Sequence, residues 1–218
     1  MSVRHTSQEN VLHPALAALI NDLAPAQLLD YGCGDTRILD IIDRNILIDV
    51  HDKNEEMLQL ARHRNAGRIH NYFLDRSEIL SDEYDAVLVS MVLMTLDNEE
   101  EHQDVLETVN RVKKPSGYAY IAVSHPCFRD RQFSNFRTSF GSEQTYSYLT
   151  KGVPFNVYLE DDTPPSVAFT DFHWPLSFTL NGIIETGMSI VKLIETPDDA
   201  SSERCNPGAS PFVVIIAK

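Results

Sequence analysis

The sequence predicts an α/β fold in which helices cover an open sheet, and two observations carry that expectation. The apolar run Gln27-Leu28-Leu29 leads into Asp30-Tyr31-Gly32-Cys33-Gly34, a strand giving way to a glycine turn. A second apolar run, Asn45-Ile46-Leu47-Ile48-Asp49-Val50-His51, ends at Asp52, 22 positions beyond Asp30. Gly32 and Gly34 lack a Cβ and can adopt turns closed to other residues, so this loop can lie against a ribose or an amino-acid tail. An acid at the tip of the second strand, about 20 residues past a glycine turn, can accept hydrogen bonds from both ribose hydroxyls. Together they point to a nucleotide-shaped ligand.

Ahead of the turn, residues 1–24 read as a helical segment. Leu12, Leu16, Leu19, Ile20 and Leu23 recur at steps of three and four, and Pro14 suits a first helical turn, where a missing N–H costs little. After the turn, Ile38, Leu39, Ile41 and Ile42 are spaced for a helix over Thr36 to Asp43. Asn98 to Val112 is a further helix, opened by Glu99, Glu100 and Glu101 and closed by Arg111, Lys113 and Lys114, as the helix dipole favours. The stretch from His125 to about Asp171 interrupts the alternation of strands and helices and is rich in phenylalanine and tyrosine. Beyond it come a helix over Phe178 to Thr186 ending at Gly187, a strand over Met188 to Glu195 and a last strand within Pro211 to Lys218.

Five ordered segments resemble class I S-adenosylmethionine-dependent methyltransferases of the small-molecule type. They are Asp30-Tyr31-Gly32-Cys33-Gly34, the run from Asp52 to Arg62, Tyr72-Phe73-Leu74-Asp75-Arg76, the run from Tyr84 to Leu93, and the run from Lys113 to Val123. Asp171-Phe172-His173-Trp174-Pro175-Leu176-Ser177 and the Glu195-Thr196-Pro197 step are similar to the tail of many such enzymes. The resemblance implies one domain over residues 1–218. Its Rossmann-like sheet would be mostly parallel with an antiparallel C-terminal strand and helices on both faces, and residues 126–172 would form a substrate cap inserted between the fifth strand and the next helix. It also implies S-adenosyl-L-methionine as cofactor, held by Asp30, Gly32, Gly34, Asp52, Lys53, Asp75, Arg76 and the backbone near Ser90; in relatives the acid at the position of Asp75 commonly bonds the adenine amino group. Relatives place a third glycine where this chain has Thr36, a β-branched residue that tolerates positive φ poorly and would add bulk beside the methionine part of the cofactor.

Composition narrows the partners. A net charge of −14 repels nucleic acid and anionic membrane surfaces, and the nearest basic cluster is Arg129, Arg131 and Arg137. No apolar stretch approaches the ~20 residues needed to span a bilayer, and Met1 to His5 are not followed by a secretory core, so a cytoplasmic location is expected. Cys33, Cys127 and Cys205 are too widely spaced for zinc or redox pairing, and no metal is expected.

A sulfonium methyl is already activated, so the protein mainly holds an acceptor lone pair in line with it, and a hydroxyl or ammonium acceptor also needs a base. His125 and His173 bracket the cap and are the candidate catalytic residues, although each can equally serve a structural role. Tyr146, Tyr158 and Trp174 are candidates to contact the acceptor, with the cap aromatics supplying pocket area or a small satellite core. The expected activity is methyl transfer to oxygen or nitrogen of a small organic acceptor. The alternatives are a peptide or RNA methyltransferase and a non-catalytic cofactor-binding protein of the same fold.

Overall fold

The computed structural model describes residues 6–129, 131–141, 146–159 and 167–218. Parts of the expected cap and the first five residues lie outside these. In chain order the strands are β1 (Gln27–Tyr31), β2 (Leu47–His51), β3 (Ile69–Phe73), β4 (Tyr84–Ser90), β5 (Lys113–Ser124), β6 (Phe136–Ser139), β7 (Val153–Leu159), β8 (Val167–His173), β9 (Ile190–Glu195) and β10 (Phe212–Ala217). The α-helices are α1 (His13–Leu23), α2 (Glu55–Asn65), α3 (Glu99–Val112) and α4 (Leu176–Glu185).

Seven strands make one sheet in the order β3-β2-β1-β4-β5-β10-β9. Every pairing from β3 to β5 is parallel, and β10 runs antiparallel to both β5 and β9. The chain moves outward one way from β1 to β3 and the other way from β4 to β5. A crevice therefore opens beyond the carboxyl ends of β1 and β4, where ligands of such sheets bind.

Strands covered on both faces read as continuous apolar runs, because alternate residues feed opposite cores. Leu28, Ala86, Leu88, Ala122 and Val214 join Leu16 of α1 and Leu58 of α2 on one face. Leu29, Val87, Val89, Ile121 and Val213 join Leu106 and Val109 of α3 and Ile183 of α4 on the other. Asn98 caps α3 by accepting the Glu101 N–H at 2.8 Å, which fixes its start where the charge pattern predicted.

Two expected elements differ. The helix over Thr36 to Asp43 is one 3₁₀ turn, Arg37–Asp40. Thr36 enters it in the left-handed region at φ 57°, and Arg37 is drawn sideways to Asp35 at 2.5 Å and Glu9 at 2.6 Å, so no longer helix propagates. The first helix starts before Pro14: a π-turn over Gln8–Leu12 precedes α1, with the His13 N–H reaching the Gln8 carbonyl. A proline inside a helix removes one backbone bond and crowds the preceding turn, which a wider π-turn accommodates.

Between β5 and α4 the described residues include a three-stranded antiparallel sheet, β6-β7-β8. Phe133, Phe136, Phe155, Val157 and Leu159 extend the first core, and Phe136 stacks on Phe212 of β10 at 5.9 Å. Most of the cap aromatics thus bind the small sheet to the large one.

Asp49, in the middle of β2, is buried and accepts the Tyr84 hydroxyl at 2.8 Å and the Asn71 N–H at 2.9 Å. Burial and the Asp49 charge together hold the Tyr84 phenol protonated, well above its ordinary value. Tyr84→Phe will leave a buried carboxylate short of one donor and lower stability by about 1–3 kcal/mol, read from the urea midpoint at unchanged slope. An unchanged midpoint would show that Asp49 needs no such donor.

Candidate active site

Two cavities lie at the crevice and meet over the glycine turn. The larger, about 740 Å³, is lined by Tyr31, His51, Asp52, Lys53, Asp75, Arg76, Val92, Leu96 and Asp104 among others. The smaller, about 290 Å³, is lined by Asp30, Gly34, Ser90 and Phe169 and is bordered by Gln8, Glu9 and His13 of the N-terminal helical segment. Gly32 and Met91 line both. All eight residues expected to hold a cofactor therefore fall along one continuous trough.

The glycine turn is shaped by backbone bonds to β2. The Gly32 and Cys33 N–H groups donate to the His51 carbonyl at 2.7 and 3.0 Å. Gly32 sits at φ +74°, and a Cβ there would overlap the Val92 Cγ2 methyl; Gly34 sits at φ +51° with no atom within 4 Å of an added Cβ. Thr36 lines neither cavity. It does take a positive φ, but its hydroxyl turns to Asn65 of α2 at 2.8 Å and to the Asp35 carbonyl at 2.7 Å. The bulk expected beside the methionine part of a cofactor is thus directed elsewhere.

Asp52 accepts the Gly34 N–H at 3.0 Å on one oxygen and the Asn54 N–H at 2.9 Å on the other. It ties the turn to the start of α2 and keeps lone pairs for a ligand, since a carboxylate has about four acceptor positions. Asp30 is buried, and its Oδ2 has no partner among the described residues. Burial first, then the charges of Asp52 and Asp35, push its pKa up to about 7. A cation placed there would satisfy that oxygen and restore the charge. Asp75 accepts the Ser77 N–H at 2.8 Å, which holds its pKa below the ordinary range. Arg76 pairs with Asp104 of α3 at 2.8 Å, and Lys53 reaches Glu101 at 3.4 Å in an exposed pair of little energetic weight.

Tyr31 and His51 were not singled out from the sequence, yet both line the larger cavity and stack at 4.2 Å. Burial pushes the His51 pKa down to about 4, so the ring is neutral near pH 7. Met91 was also missed; it lines both cavities in the left-handed region at φ 61°. The only signal for these three was adjacency to Gly32, Asp52 and Ser90.

The expected catalytic and acceptor residues lie away from the trough. His125, just past β5, accepts the Cys127 N–H through Nδ1 at 3.2 Å, and its Nε2 meets Glu195 of β9 at 2.7 Å. Both ring nitrogens are engaged, and the side chain lines neither cavity. His173 donates from Nε2 to the Tyr148 carbonyl at 2.8 Å and is walled by the rings of Phe140, Tyr146 and Tyr148. Burial lowers the pKa of both histidines. Trp174 is buried, donates from Nε1 to the Leu96 carbonyl at 3.0 Å and stacks on Phe178 at 4.8 Å. Tyr146 stacks on Phe140 at 4.0 Å, and Tyr158 lies under the Arg137 guanidinium at 4.1 Å. None of these three lines the trough. A position next to a strand end is legible in sequence, but the direction a side chain takes is set by the turn that follows.

The trough suits a ligand with an apolar face, ribose hydroxyls and positive charge. Val92 and Leu96 offer the first, Asp52 the second, and Asp30 with its acidic neighbours the third. A family model described as a methyltransferase domain matches residues 29–121. No curated protein matches the sequence. Among solved structures, an S-adenosylmethionine dependent methyltransferase from Mesorhizobium loti is 19% identical, with a TM-score of 0.62 over 94% of this chain and 95% of that one. A 1,6-didemethyltoxoflavin-N1-methyltransferase from Burkholderia thailandensis, solved with 1,6-didemethyltoxoflavin and S-adenosylhomocysteine bound, is 16% identical with a TM-score of 0.59 over 94% and 76%. A glycopeptide N-methyltransferase is 12% identical with a TM-score of 0.64 over 95% and 88%.

Proposed function

We propose that this chain, whose residues 29–121 match a methyltransferase domain, is a class I S-adenosylmethionine-dependent methyltransferase that methylates oxygen or nitrogen of a small organic acceptor. The observation that carries this reading is the trough itself. Its larger part has room for an adenosine group, and only about 290 Å³ beyond the glycine turn is left for the methionine tail and what lies next to it. A small acceptor fits that space.

When bound, the cofactor supplies a methyl group already activated by its sulfonium sulfur. In this reading Asp52 accepts the ribose hydroxyls, Asp75 faces the adenine edge, and Tyr31, Val92 and Leu96 wall the base. Asp30 receives the ammonium of the methionine tail beside Gly34 and Ser90. Lys53 and Arg76 border the mouth. The protein's part in the chemistry is positioning and exclusion of water. The residues between β5 and α4 serve as the cap, with Phe169 on its inner side.

An RNA substrate is disfavoured by the same segment, because Arg129 is buried and Arg129, Arg131 and Arg137 form no continuous basic surface. No helix among the described residues is long and apolar enough to cross a membrane.

Calorimetric titration tests the reading. S-adenosylmethionine and S-adenosylhomocysteine should bind, and a nicotinamide dinucleotide should not. Asp52→Ala should weaken S-adenosylhomocysteine by about 1–3 kcal/mol through loss of hydrogen bonds to a charged group. Equal affinity in the variant would remove Asp52 from the site. A metabolite screen for methyl transfer then identifies the acceptor.

A further inference from the structure

Arg129 and Asp171 are two buried charges that the cofactor site leaves unexplained. Each is only 4% exposed, and both line a gap of about 10 Å³ walled by Phe136, Phe155 and Phe169. Met91 and Phe169 border this gap and the 290 Å³ cavity alike, so the two lie side by side on the acceptor side of the trough. Arg129 spends its two terminal nitrogens on Ser124, at 2.5 Å to the hydroxyl and 3.2 Å to the carbonyl, and lies over the Phe155 ring at 4.3 Å. Its Nε has no partner among the described residues. The Asp171 carboxylate accepts no hydrogen bond among the described residues, and the two charges do not close to a direct ion pair there.

A buried carboxylate without donors is costly, and natural interiors retain one only where something compensates it. Burial pushes the Asp171 pKa up to about 7, and Arg129 offsets that only in part and leaves the hydrogen-bonding capacity of Asp171 unused. A gap of this size holds one polar group and no more. Resting on the methyltransferase reading, we infer that Asp171 is the hydrogen-bond acceptor that positions the methyl-accepting atom, and that the substrate class is an N–H or O–H donor carried on an aromatic or apolar frame. The donor enters the gap, and its frame rests against Phe169 and Met91. A carboxylate acceptor is disfavoured there, because when ionised it brings no donor for Asp171.

The test uses the full chain saturated with S-adenosylhomocysteine and titrated with phenol, benzoate and toluene by ligand-observed NMR. Phenol should bind at least tenfold more tightly than either of the others. Equal affinities, or a preference for benzoate, overturn the inference without touching the cofactor reading. The double variant R129M/D171L removes both buried charges together and leaves neither unpaired, a replacement that folded proteins tolerate. It should bring phenol within about threefold of toluene and leave S-adenosylhomocysteine affinity within threefold of wild type. A retained phenol preference in the double variant overturns the assignment to Asp171. Failure of S-adenosylhomocysteine to bind wild type overturns the methyltransferase reading, and the inference with it.

Discussion

Gly32→Ala will weaken S-adenosylhomocysteine binding at least tenfold, about 1.4 kcal/mol, and will lower stability by roughly 2–5 kcal/mol. Two costs combine. The left-handed backbone at φ +74° is strained for any residue with a Cβ, by about 1–2 kcal/mol. The added methyl also overlaps Val92, and overpacking of this kind costs about 1–3 kcal/mol. Neither the turn nor Val92 can yield freely. The Gly32 N–H is held to the His51 carbonyl at 2.7 Å, and Val92 begins the short turn that runs on to Leu96. Relief must therefore come from moving one wall of the larger cavity. Gly34→Ala is the control, since its Cβ would meet nothing within 4 Å and only backbone strain is added. Calorimetry and thermal unfolding of both variants check the expectation. Identical affinities for Gly32→Ala and wild type would mean that the turn does not approach the ligand.

Trp174→Ala will be the most destabilising of these substitutions, by about 3–5 kcal/mol, with a fall in melting temperature of roughly 6–20 °C. The indole is buried between Phe178 and His102 and fastens the end of β8 to the loop after β4 through its bond to the Leu96 carbonyl. Truncation leaves a cavity and an orphaned carbonyl together. Trp174→Phe separates this account from a direct contact with the acceptor. It should restore most of the stability, and the phenol affinity of the S-adenosylhomocysteine-loaded protein should stay within threefold of wild type. A tenfold loss of phenol affinity at near-native stability would return Trp174 to the acceptor site. Because Leu96 lines the larger cavity, Trp174→Ala should also weaken S-adenosylhomocysteine, by less than Gly32→Ala does.

The lining of the trough was legible because it is written in local signals. Glycines at a strand end, an acid at the next strand end and a third acid after β3 lie within a few residues of the atoms that form the trough. Asp30, Gly32, Gly34, Asp52, Lys53, Asp75, Arg76 and Ser90 all line it. The residues expected at the acceptor half are placed away from the trough for the opposite reason. His125 and His173 stand at strand ends, as expected, but the turn at Pro126–Phe128 and the Tyr148 carbonyl direct their rings into protein hydrogen bonds. The aromatic cap residues were read as pocket or satellite core, and most became core because β6, β7 and β8 pair into a sheet that packs on Phe212.

Taken by itself, the sequence determined the alternation of strands and helices, the burial of the sheet on both faces and the position of the glycine turn. Those follow from apolar runs and from backbone conformations that glycine adopts most readily, which act over a few neighbouring residues. Only the tertiary structure decided that Thr36 turns to Asn65, that Tyr31 and His51 share a wall, and that Arg129 and Asp171, forty-two positions apart, line one gap without meeting. Each depends on the direction of a side chain and on partners far along the chain. Pairing between distant strands fixes both, and no local pattern encodes it.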